Sequence, residues 1–128
     1  MPGSAADGIV RDIRQVLAIA GLPEARSEDG AGGYTLTASA RHVRIMWWTE
    51  NRFYDQAQSI NLGHPQHPMA RLGRDVTAAM ERAAADVLYA AGFTVVLRPG
   101  VPNSNPEKER DPEVIVTASP EFRAWADI

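Results

Sequence analysis

Residues 34–49, YTLTASARHVRIMWWT, decide the fold class of this chain. In the second half of the stretch, Val43, Ile45 and Trp47 alternate with His42, Arg44, Met46 and Trp48. That is the period of two expected of a half-buried strand. Residues 34–38 read as its partner strand, and residues 39–41 are short enough to join the two as an antiparallel hairpin. Because side chains alternate across a strand, Trp47 turns inward with Val43 and Ile45. Trp48 then shares the opposite face with His42, Arg44 and Met46.

Working outward, residues 5–20 carry Ile9, Ile13, Val16, Leu17 and Ala20 at helical spacing, behind a capping-box start at Ser4 and Asp7. Gly21 takes the left-handed position after that helix, Leu22 folds back on Leu17, and Pro23 prevents continuation. Residues 24–33 are polar and Gly-rich, the composition of a mobile connector. After the hairpin, residues 59–62 offer a third strand and residues 63–68, GHPQHP, a stiff loop. A second helix follows, with Met69, Leu72, Val76, Met80, Ala83, Val87 and Ala91 as its apolar stripe. Arg71–Asp75 and Arg82–Asp86 are i,i+4 pairs on its exposed side. Gly92 and Phe93 repeat the Gly21–Leu22 ending. A duplicated helix–strand–strand unit explains this echo, and so do two ordinary glycine caps.

Residues 93–98 and 113–117, rich in Val and Ile, are the remaining strands. The segment between them, 99–112, holds four prolines and only Val101 as an apolar anchor, so it reads as a flexible loop. Ser119-Pro120-Glu121 opens a short C-terminal helix carrying Phe122 and Trp125. The expected architecture is a single α+β domain over 1–128. Two main helices pack on one face of a four- to five-stranded, mainly antiparallel sheet, in the order α-β-β-(β)-α-β-β. Periodicity leaves the strand order open.

Composition narrows the function classes. At 128 residues with 45% hydrophobic residues, the chain can bury a core without staples. Cysteine is absent, which excludes disulfides, thiolate metal sites and a cysteine nucleophile. No stretch approaches the roughly 18 apolar residues of a membrane span, and there is no basic, apolar leader, so a cytoplasmic protein with no membrane partner is expected. The formal charge of −3 disfavours a dedicated nucleic-acid binder, although the middle of the chain, 31–98, carries seven Arg against five acids. Twelve of the thirteen basic residues are Arg, a skew that looks like the coding bias of GC-rich actinobacterial genomes.

His64 and His67 are the only close imidazole pair, but they are spaced by three in a proline-rich loop rather than along one helix face. No serine lies in a Gly-x-Ser-x-Gly elbow, and the glycine-rich phosphate loops are absent. No cofactor or metal is expected, and a non-enzymatic role is favoured. Five of the nine aromatic residues fall between Tyr34 and Tyr54, interleaved with Arg41, Arg44 and Arg52. Arg44, Trp48, Arg52, Tyr54, His64 and His67 are therefore the candidate binding residues. They suit a protein partner or a homodimer, with nucleic acid as the alternative.

Over residues 5–91 the element order is similar to that of double-stranded-RNA-binding domains. Those domains open their second helix with a Lys-Lys-x-Ala-like phosphate grip. Here Arg74-Asp75-Val76-Thr77-Ala78 stands in its place, one Arg beside an acid, so the grip is not carried over. With its two further strands and last helix, the order also looks like that of type III secretion chaperones, by topology alone. In overall style the chain resembles the small accessory proteins of actinobacterial phages and integrative elements.

Overall fold

The computed structural model describes residues 5–26, 31–49, 63, 72–101, 105, 107–108 and 112–127. Helix α1 spans Ala5–Ile19 and helix α2 spans Leu72–Ala90. The strands are β1 (Gly33–Ala38), β2 (Val43–Trp48), β3 (Thr94–Arg98) and β4 (Glu113–Ala118). They form one sheet in the order β1-β2-β4-β3, with every ladder antiparallel. A single 3₁₀ turn, Ala124–Asp127, ends the described chain. The fold is α+β, as the periodicities imply. Ser4, the third strand at 59–62, the loop at 64–68, Met69 and Arg71 lie outside the described residues. So do 102–104, 106 and 109–111 of the long loop.

Both helices end alike. Leu22 N–H reaches back to Leu17 O at 2.9 Å and Gly21 N–H to Ala18 O at 3.1 Å. In α2, Phe93 N–H bonds Leu88 O and Gly92 N–H bonds Tyr89 O, both at 3.0 Å. These are paired Schellman closures, made possible by the positive φ of Gly21 and Gly92. Each helix leads to a hairpin, and the two hairpins meet through antiparallel β2 and β4 at the centre of the sheet. Two α-β-β units related by a twofold axis normal to the sheet give this strand order.

The core lies between the helices and one face of the sheet. Ile9, Ile13, Val16 and Leu17 of α1 and Ala84, Ala85 and Leu88 of α2 meet Val43, Ile45, Val114 and Val116. Those four strand residues share a face by register, since Val43 pairs with Val116 and Ile45 with Val114. Where β2 runs past the end of β4, its backbone and the following Thr49 find partners on α2. Trp47 N–H donates to Glu81 Oε2 at 3.3 Å, and Thr49 and Thr77 share a 2.6 Å hydroxyl contact.

Two segments differ from the composition-based reading. The start of the Gly-rich connector is fixed rather than loose: Tyr34 N–H donates to Pro23 O at 3.0 Å and Ala25 N–H to Tyr34 O at 2.8 Å. Gly33, at φ 141°, lets this stretch pass so close that a Cβ there would sit 2.6 Å from Pro23 O. Burial, with the Glu24 carboxylate second, raises the pKa of the Tyr34 phenol above its ordinary value, while Arg14 opposes the shift. Of the two aromatic residues expected in the C-terminal helix, Trp125 enters the core, 5% exposed and stacked on Phe93, whereas Phe122 is 79% exposed. Trp125 is held by Nε1–H donating to Gln15 and by the neighbouring Arg123, which bonds the buried Asp12. Among the described residues no helix is long and apolar enough to cross a membrane.

Candidate binding surface

The face of the sheet away from the helices follows from the register. Thr35 and Thr37 of β1, Arg44, Met46 and Trp48 of β2, Glu113 and Ile115 of β4, and Val96 and Arg98 of β3 alternate with the core residues. Trp48 is 57% exposed. Its indole is not loose, because Nε1–H donates to Thr35 Oγ1 on the neighbouring strand at 3.2 Å. Met46 beside it is half-buried. The split expected of the Trp47–Trp48 pair is what the structure shows: Trp47 packs on the core and Trp48 faces solvent.

Arg44 lies across from Thr37 on one side and Ile115 on the other. Its Nε is buried and makes no hydrogen bond, and the residue forms none of the ion pairs found among the described residues. A desolvated guanidinium nitrogen without an acceptor is costly, and a partner's carboxylate or carbonyl would satisfy it once the Arg44 side chain turns outward. At the edge of this face Arg98 pairs with Glu113 at 3.6 Å.

Arg44 and Trp48 thus share one face of one strand. Arg52, Tyr54, His64 and His67 lie outside the described residues. His42 sits in the hairpin turn at the far end of β2 from Trp48, with Nε2 2.7 Å from Ser39 Oγ. Among the described residues no group of three His, Asp or Glu side chains is placed to hold a metal ion.

Sequence reasoning missed a cleft of about 300 Å³ between α2 and the open ends of β3 and β4. Its walls include Ala78, Leu97, Pro99, Pro112 and Val114, with Glu81 and Arg82 at the rim. Those charges are engaged elsewhere, Glu81 with the backbone of Trp47 and Arg82 with Asp86. The prolines flanking the 99–112 loop were the only trace of the cleft in the sequence. No protein-family model, curated protein or solved structure matches the chain.

Proposed function

We propose that the protein is a non-enzymatic binding or adaptor module that docks a protein partner on the face of its sheet away from the described helices, around Arg44 and Trp48. Arg52 and Tyr54, which follow β2 in sequence, are candidates on the sequence alone. The exposed Trp48, pinned by Thr35 on the face away from the described helices, is the observation that carries the reading. Single exposed apolar residues are common on protein surfaces and need no explanation. A tryptophan held in one orientation beside a half-buried methionine and an unsatisfied arginine nitrogen is a less ordinary combination. It matches the aromatic and arginine anchors that dominate interface energetics.

The test places a photo-crosslinking side chain at position 48, with position 89 as control, since Tyr89 on α2 is the more accessible of the two at 73% exposure. A discrete adduct from position 48 and none from position 89 is expected. The captured protein, once purified, should bind the wild-type chain and lose at least about tenfold in affinity with Trp48→Ala. Equal binding to both forms would refute the reading.

Nucleic acid is a second candidate ligand, supported by Arg41 and Arg44, neither of which is in an ion pair among the described residues. That reading requires affinity falling steeply with salt. No mobility shift at low salt with single- or double-stranded DNA or RNA removes it.

A further inference from the structure

The two edges of the sheet are treated differently. The outer edge of β1 is covered at its start, because Tyr34 spends both backbone groups on Pro23 and Ala25. Those two bonds also set the hydrogen-bond phase of the whole sheet. If Tyr34 points outward, Thr35 and Thr37 bond to β2, Val43 and Ile45 bond to β4, and Ile115 and Glu113 bond to β3. Val96 and Arg98 therefore face β4, while the N–H and C=O groups of Val95 and Leu97 point away from the sheet. No described strand pairs with that side of β3.

Edge strands are usually blunted by proline, lysine, a bulge or a covering loop. Between Val95 and Leu97 none of these is present among the described residues, and the one register shift lies before Val95. Val96 and Leu97 are 43% and 46% exposed. An unsatisfied strand edge of this kind is completed by another strand.

We propose that β3 is a self-pairing edge, and that its occupant is β3 of a second copy of this chain, antiparallel about a twofold axis at Val96. In this register Val96 faces its own counterpart as the close, non-hydrogen-bonded pair. Val95 faces Leu97 of the other copy on both sides, and each of these pairs exchanges both backbone bonds. Thr94 falls opposite Arg98, so no like charges meet. The alternatives are poorer. Centring on Leu97 places Val95 against Pro99, which has no N–H. Centring on Val95 places Leu97 against Phe93, whose N–H already bonds Leu88. Only the Val96-centred pairing satisfies every outward group. The product is a continuous sheet of the eight described strands with the described helices on one side and both Trp48 side chains on the other. The contact is short, below the standard interface size, so association is weak, in the micromolar range or above.

The experiment is sedimentation equilibrium of the full chain from micromolar to millimolar concentration, paired with amide exchange by NMR. A reversible dimer is expected. The Val95 and Leu97 amides should exchange rapidly in the monomer and slow on dimerisation, while Val96 and Arg98 remain slow throughout. Val96→Lys should weaken the dimer at least about fivefold, by opposing like charges at the axis. Thr94→Glu should strengthen it about threefold through Arg98 of the other copy. Both positions are exposed, and circular dichroism checks that the variants are folded. A monomer at millimolar concentration, or a dimer indifferent to Val96→Lys with Val95 and Leu97 still exchanging rapidly, overturns the proposal. Trp48→Ala leaves β3 untouched and should not change the dimer, so the outcome is independent of the docking surface.

Discussion

The two tryptophans that differ most in exposure, Trp48 and Trp125, provide a calibrated test of which side chain builds the fold and which remains available. Trp125 is 5% exposed, its ring lies 5.4 Å from that of Phe93 at 16°, and its indole N–H bonds Gln15. Truncating a buried tryptophan to alanine costs about 3–5 kcal/mol, and the lost ring stack lies within that range. Trp48, 57% exposed, keeps less than half of its surface from water. For an aromatic of about 250 Å² that is roughly 100 Å², or about 2.5 kcal/mol at 25 cal/mol/Å². Allowing for surface already shielded in the unfolded chain lowers the figure to about 1.5 kcal/mol. At about 4 °C per kcal/mol for a chain of this length, Trp125→Ala should lower the Tm by about 16 °C and Trp48→Ala by about 6 °C. Thermal melts followed by far-UV circular dichroism measure both. A Trp48→Ala drop as large as that of Trp125→Ala would mean that the Trp48 side chain supports the core, and the docking surface would lose its anchor.

Three further tests follow from single contacts. Arg123→Ala removes the hydrogen-bonded partner of the buried Asp12 carboxylate and leaves it Arg11 at 4.0 Å, whereas Asp12→Ala releases a half-exposed Arg123 into water; urea unfolding should show the first costing about 2 kcal/mol and the second about 1, with the order reversed if the pair is not as described. The raised Tyr34 pKa means that the folded state holds the phenolic proton more tightly than the unfolded chain. The resulting stabilisation is complete below about pH 10 and is lost as pH rises through the folded-state value, so Tyr34→Phe should flatten the alkaline fall in urea stability; parallel curves for the two proteins would contradict this. Gly33→Ala, with a Cβ 2.6 Å from Pro23 O and Ala25 N, should destabilise by about 1–3 kcal/mol. Gly8→Ala on α1, with nothing within 4 Å, should stabilise by about 0.5–1 kcal/mol. Equal effects of the two glycine substitutions in thermal melts would refute the close passage at Gly33.

The helices and the four described strands were legible because each carries its own period and its own stop. Gly21 and Gly92 end the helices where the apolar stripes end, and alternation through Val43, Ile45 and Trp47 was enough to put Trp48 on the far face. That local signal also located Arg44, the other described member of the candidate site. Strand order was not legible, because side-chain periodicity fixes which face is buried and says nothing about which strand lies alongside. Nor was the covering of β1 by Pro23 to Ala25, which rests on two backbone bonds and no apolar side chain. The cleft beside α2 needed three elements brought together, and Phe122 and Trp125 could not be told apart until Gln15 and Asp12 were seen to anchor the residues around Trp125.

The paired α-β-β arrangement has a consequence for how the chain finds its structure. The hairpins β1–β2 and β3–β4 hold six and five residue pairs, whereas the seam between the halves, β2 against β4, holds three. Contacts closest in sequence, in the first hairpin above all, close small loops at little entropic cost, while the seam must close across most of the chain. Strand pairing can accumulate within each half before the halves recognise one another, leaving the long-range contacts between them for last. The same few pairs, centred on Arg44 and Ile115, then join the core shared by α1 and α2 in making two hairpins one protein.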